Sequence, residues 1–176
     1  MLLALALACL PVAAGLLGRQ GSLPTPSRLE LKLPPSAVDE RLSGVDRLVL
    51  YDGVCRFCNT WVNLALRVDT REKLRYAALQ SEAGATLLES AGRPGDISSI
   101  VYMRTGGEMF LKSAAVTEIA RDLDLGFVVL ASNLLPLKLK DALYDFIAGN
   151  RYSIMGTLDE CRLSDPNFDH LFLKTT

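Results

Sequence analysis

The sequence predicts an α/β domain, a four-stranded mixed sheet flanked by helices, with an extra helix toward the C-terminus. Three observations predict it. From Arg47 onward, short apolar runs alternate with stretches of helical period. The first half has the order strand–helix–strand, which implies a parallel pair. In the second half, Gly106-Gly107 separates two apolar runs and implies an antiparallel hairpin.

The elements follow in order. Arg47–Tyr51 reads as a buried strand ended by Asp52-Gly53. Cys55 to Val68 reads as a helix with Cys58, Trp61, Val62, Ala65 and Val68 near one face. Leu74–Ala78 is a second strand, and Ser81 to Ala91 a helix stopped by Gly92. Ser99–Met103 and Glu108–Leu111 form the hairpin around Thr105-Gly106-Gly107. Ser113 is placed to N-cap the next helix, whose apolar side holds Ala115, Val116, Ile119 and Leu123. The last helix runs from about Pro136 to Ala148, closed by Gly149.

Upstream, Met1 to Leu17 is an apolar run interrupted by Pro11. It reads as the core of a signal peptide cut near Val12-Ala13-Ala14, as an acid-poor organellar transit peptide, or as a retained anchor. The implied destinations are a mitochondrion or chloroplast, or the secretory or periplasmic route. Residues 18–44 carry four prolines and read as a linker; 45–166 is the folded domain and 167–176 a C-terminal tail.

Composition removes several function classes. The chain has 176 residues, 49% of them hydrophobic, so it can bury one core of ordinary size. A net charge of -1 gives no footprint for nucleic acid. The single histidine, His170, has no visible partner, which argues against hydrolases built on a central His. Asp159, Glu160 and Asp165 read as a solvated segment.

The chemistry therefore rests on Cys55 and Cys58, spaced C-x-x-C between a strand and a helix. A cysteine at a helix N-terminus meets unpaired N–H groups and the positive end of the helix dipole, and both favour thiolate. Cys55 is expected to be the exposed nucleophile, and Cys58, one turn on, the shielded resolving thiol. Arg56 is expected to support the Cys55 thiolate. Asp52 either turns the chain with Gly53 or accepts the proton of Cys58; the two roles are compatible. Zinc is the rival reading, with Cys161 and His170 the only residues able to complete a site. Cys161 is a third thiol or a semi-buried bystander, and Trp61 belongs to the core or to a substrate groove.

Several ordered motifs resemble the DCC family, predicted thiol-disulfide oxidoreductases with a thioredoxin-like fold. Asp52, Cys55 and Cys58 match the Asp and two Cys of the family name. Tyr76 to Glu82 with its Leu-Gln-Ser, Ser98 to Val101, Lys112 to Ala115, Tyr144 to Ala148 and Asn150-Arg-Tyr152 resemble further segments, and Cys161 a late Cys. Met155-Gly156 replaces an aromatic-Gly pair of many members. Where thioredoxins carry a cis-proline, this chain has Asp96-Ile-Ser-Ser, so Ser98 or Ser99 takes that place. The resemblance implies disulfide exchange with protein thiols or disulfides, and no cofactor. A glutathione-using enzyme with a basic groove at Arg56 and Lys112, or a redox-sensing or metal-binding module, are the alternatives. Membrane contact is expected only if the apolar N-terminal segment is retained.

Overall fold

A strand buried on both faces organises the molecule. The computed structural model describes residues 28–30, 44–104 and 107–173. The apolar leader, most of the proline-rich segment, and Thr105 and Gly106, where the hairpin turn was expected, lie outside the described residues. The strands are β1 (Arg28–Glu30), β2 (Arg47–Tyr51), β3 (Arg75–Ala78), β4 (Val101–Arg104) and β5 (Glu108–Leu111). The helices are α1 (Arg56–Val68), α2 (Glu82–Ser90), α3 (Lys112–Asp122), α4 (Gly126–Asn133) and α5 (Leu137–Met155).

The sheet order is β1-β5-β4-β2-β3. β2 runs parallel to β3, with Val49 opposite Tyr76, and antiparallel to β4, with Val49 opposite Tyr102. β4 and β5 form the expected antiparallel pair. These four strands are the predicted mixed sheet, and the layout is that of a thioredoxin-like fold. The fifth, β1, was not expected. Three residues of the presumed linker pair antiparallel with β5, Arg28 opposite Phe110.

β2 alternates sides as a strand must. Val49 and Tyr51 face a core that includes Val62, Tyr76, Tyr102 and Ile119. Leu48 and Leu50 face a second core with Leu87, Leu88 and Val101. All four are nearly inaccessible, which suits the unbroken apolar run of a central strand. Ser81 caps α2 through its hydroxyl, which accepts the Gly84 N–H at 3.1 Å.

The C-terminal half departs from expectation in four ways. Ser113 does not cap α3: β5 passes into the helix without a linker, Leu111 sits at the cap, and the Ser113 hydroxyl donates to Asp141 instead. A helix not foreseen, α4, occupies Gly126–Asn133. α5 continues through Gly149 to Met155 and ends at Gly156, whose φ of 78° needs a residue without a Cβ. The residues expected as a tail instead pack inward. Leu171 and Phe172 are buried, Phe172 bridges to Tyr76, and the Leu173 N–H donates to the Tyr76 carbonyl at 2.9 Å.

Candidate functional site

The end of β2 delivers Asp52, and the start of α1 delivers the cysteines. Cys55 is the N-cap of α1, and its Sγ accepts the Cys58 N–H at 3.2 Å. A sulfur there gains from the helix N-terminus most when it carries negative charge. Cys58 lies one turn on. Burial pushes its thiol well above the ordinary thiol range; its hydrogen bond with Cys55 and the charges of Cys55 and Asp52 add to this, while Arg151 opposes it. Ligand atoms of Asp52, Cys55 and Cys58 lie within 4.8 Å of one another.

The exposure of the pair is the reverse of the sequence expectation. Cys55 is 0% exposed, whereas Cys58 is partly exposed. The backbone of the segment after α5 pairs with Cys55. Thr157 forms an antiparallel bridge with Cys55, and the Gly156 carbonyl accepts the Arg56 N–H at 3.3 Å. Arg56 itself donates from Nε to the Thr157 carbonyl at 2.8 Å. It therefore ties down this segment beside Cys55. The cation whose field reaches the sulfur of Cys58 is Arg151.

Asp52 is 3% exposed and held from all sides. Its Oδ1 accepts from Gln80 Nε2 at 2.7 Å and from the Val54 N–H at 3.2 Å. Its Oδ2 accepts from Arg151 Nη2 at 3.1 Å and from the Tyr152 hydroxyl. Burial, then Asp52 itself, push the Tyr152 phenol up, so it stays protonated and donates. A buried carboxylate of this kind is tolerable only with such compensation, because an unpaired one costs several kcal/mol. Gln80 also accepts the Gly53 N–H at 3.0 Å, which fixes the turn that Asp52 begins. Asn59 donates to the Gly53 and Cys55 carbonyls at 2.9 and 2.8 Å and closes the loop from below.

Gln80, Asn59, Arg151 and Tyr152 were not singled out as site residues from sequence. Arg151 and Tyr152 lie a hundred residues downstream, at the far end of α5, and only the packing of α5 against α1 brings them to Asp52. Their signal was their membership in Asn150-Arg-Tyr152, a segment legible as resemblance but not as chemistry.

Cys161 lies on the other side of the turn. Its Sγ is pressed against Gly53, where a Cβ would approach it to 2.4 Å, and it contacts Gln80 Oε1 at 3.8 Å. Burial, then Asp52, raise its thiol. His170 is exposed but not partnerless, since it meets Glu72 at 3.1 Å. Asp165 is held by Arg162 at 2.5 Å rather than solvated.

Neither Cys161 nor His170 joins the cluster of Asp52, Cys55 and Cys58. Both carboxylate oxygens of Asp52 already accept hydrogen bonds, and a guanidinium sits beside them. A divalent cation would have to displace these donors and face the charge of Arg151, so the residues present fit a metal poorly.

An apolar cavity of about 470 Å³ opens beside Cys58. Phe57, Trp61, Ile119, Phe127 and Ile147 contribute its walls, and Asp52, Ser98, Ser99 and Arg151 a polar end. Trp61 packs on the core and also lines this cavity.

Residues 49–157 match the family model of the DCC1-like thiol-disulfide oxidoreductases. The chain is 43% identical over 119 residues to a chloroplastic DCC family protein of Arabidopsis thaliana, covering 66% of this chain and 69% of that one. It is 35% identical over 136 residues to the uncharacterized protein YuxK of Bacillus subtilis, covering 73% of this chain and 94% of that one. No solved structure matches.

Proposed function

The chain belongs to the DCC1-like thiol-disulfide oxidoreductase family, and on that premise we propose that it exchanges disulfides with protein substrates through Cys55 and Cys58, with Asp52 as proton acceptor. The observation that carries this reading is the convergence of two sulfurs and a carboxylate within 4.8 Å at a helix N-terminus. Cys55 takes the role of thiolate, because its sulfur accepts the Cys58 N–H. It attacks one sulfur of a substrate disulfide, forms a mixed disulfide and expels the other sulfur as thiolate. Cys58, kept protonated by burial until then, gives its proton to Asp52 and attacks Cys55. The Cys55–Cys58 disulfide forms, the second substrate sulfur leaves as thiolate, and Asp52 passes the proton to it. The same steps in reverse oxidise a substrate dithiol.

Cys55 is buried, so attack requires the structure around it to open. Glutathione is the less supported substrate. Lys112, one of the two cations expected to hold its carboxylates, pairs with Asp145 at 2.9 Å. The chloroplastic relative favours an organellar address for the leader over the secretory one.

Trapping tests the roles. Cys58→Ser should accumulate mixed disulfides through Cys55, and Cys55→Ser should accumulate few. If Cys55→Ser traps as well as Cys58→Ser, the entry point is the partly exposed Cys58 and the assignment is wrong.

A further inference from the structure

The helices α1, α3, α4 and α5 leave an elongated space between them. This is the apolar cavity beside Cys58, and its volume of about 470 Å³ is ordinary for a small-molecule site. α5 lays one face along it. Lys140, Leu143, Tyr144, Ile147, Ala148 and Arg151 follow the i, i+3, i+4, i+7 repeat of a single helix face, and all line the cavity. At 1.5 Å per residue this row is roughly 16 Å long. α1 answers with Cys58, Trp61, Ala65 and Val68 over a similar length. Neither α4 nor α5 contains a buried residue, so the apolar side chains that they turn to the cavity are only partly covered.

The charged groups on the wall sit at its two ends. Asp52 and Arg151, at the Cys58 end, neutralise each other at 3.1 Å. Lys140, at the other end, is half-buried. Among the described residues its Nζ meets the Ser132 hydroxyl at 3.1 Å and no carboxylate. Ser132 also bonds the Thr117 hydroxyl at 2.7 Å. An ammonium has three N–H donors, so two remain for a ligand. Asp141, next in sequence, does not line the cavity and accepts the Ser113 hydroxyl. Between the two ends the wall is apolar, and its Tyr144 hydroxyl already accepts the Ile100 N–H at 2.8 Å. The cavity is thus a long apolar slot with one uncompensated cation at one end. Its complement is a long apolar chain with one anion at one end, since a charge against an apolar wall needs a partner.

We infer that this cavity binds an unbranched aliphatic carboxylate, with the carboxylate on Lys140 and the chain lying between α1 and α5 toward Cys58. Given the disulfide-exchange reading, on which this last step rests, the chain end would shield the Cys58 thiol, and occupancy would slow resolution of the mixed disulfide.

Trp61 is the one tryptophan of the chain and lines the cavity, so its fluorescence reads occupancy. The full chain is titrated with dodecanoate, dodecanol and dodecyltrimethylammonium, each below its micelle concentration. Dodecanoate should bind saturably, one molecule per chain. Dodecanol should bind about tenfold more weakly, because it forfeits the charge-assisted bond, and the ammonium compound more weakly still. Lys140→Gln should lower the affinity for dodecanoate about tenfold and leave that for dodecanol unchanged. Bound dodecanoate should slow labelling of Cys58 by N-ethylmaleimide several-fold, read by mass spectrometry, and leave labelling of Cys161 unchanged. Absence of saturable binding overturns the inference. So does equal affinity for the three probes, which would mean adventitious partition of an apolar chain only. Full dodecanoate affinity in Lys140→Gln would remove the head-group site, and unchanged Cys58 labelling in the complex would place the chain elsewhere; either overturns it too. None of these readouts needs disulfide exchange, so failure of the exchange reading would leave the binding result standing, and the converse holds.

Discussion

In the proposed exchange Asp52 carries two duties that pull against each other. Its four hydrogen-bond donors make a buried carboxylate tolerable and aim it at the cysteines. As a proton acceptor it must also leave one lone pair able to reach Cys58. Asp52→Asn keeps the shape and removes the basicity. The variant should form mixed disulfides with a small aromatic disulfide at near the wild-type rate and resolve them roughly a hundredfold more slowly, the usual scale for a positioned base. Stopped-flow release of the aromatic thiolate resolves the two phases, and a second phase as fast as in the wild type would remove Asp52 from the reaction. At this scale the sequence was partly legible. Asp52, Cys55 and Cys58 sit within seven residues, so spacing alone placed them together. The burial of Cys55 was not legible, because Thr157, whose backbone pairs with it, lies a hundred residues away.

Elements were legible where a local signal set them. Ser81 announced α2, and the apolar run from Leu48 to Tyr51 announced β2. α4 was missed because Gly-Phe-Val-Val-Leu-Ala-Ser-Asn has no amphipathic period and no side-chain cap. β1 was missed because three residues between prolines carry no pattern; backbone pairing to β5 alone defines it. α2 offers the sharpest element-scale test. Its first turn lies so close to the end of β3 that a Cβ on Gly84 would meet the Ala78 carbonyl oxygen at 2.2 Å and the Leu79 backbone at 3.0 Å. Backbone cannot yield as a side-chain tip can. Gly84→Ala should therefore cost about 2 kcal/mol or more in chemical denaturation, despite the better helix propensity of alanine. An unchanged midpoint would show that α2 is not seated as described.

The whole molecule is held at both ends of β2. At one end is the site; at the other, Arg47 and Arg104 converge on Asp122, with Arg104 Nη2 at 2.8 Å. Burial alone would raise the Asp122 carboxyl, but hydrogen bonds from Tyr102 and Arg104 and the nearby arginines overcome it and hold it below the usual carboxylate range. A depressed folded-state pKa contributes stability that is present above the unfolded value of about 3.9 and is lost as pH falls through the folded one. The thermal midpoint should thus decline below about pH 4, and Asp122→Asn should be less stable at neutral pH and lose less on acidification. A variant with the same acid decline as the wild type would assign the effect to other carboxylates. The buried Leu171 and Phe172 belong to this scale as well. Their docking joins the C-terminus to β3, and the polar residues around them hid it in the sequence.

The central claim is that Cys55 and Cys58 are a two-electron redox couple. The direct measurement equilibrates the full chain in buffers of reduced and oxidised dithiothreitol and follows it by mass spectrometry. The account predicts one two-electron transition, a loss of two hydrogens, a peptide link between Cys55 and Cys58, and the same behaviour in Cys161→Ser. Failure of the pair to oxidise at any ratio, or a disulfide that requires Cys161, would contradict it.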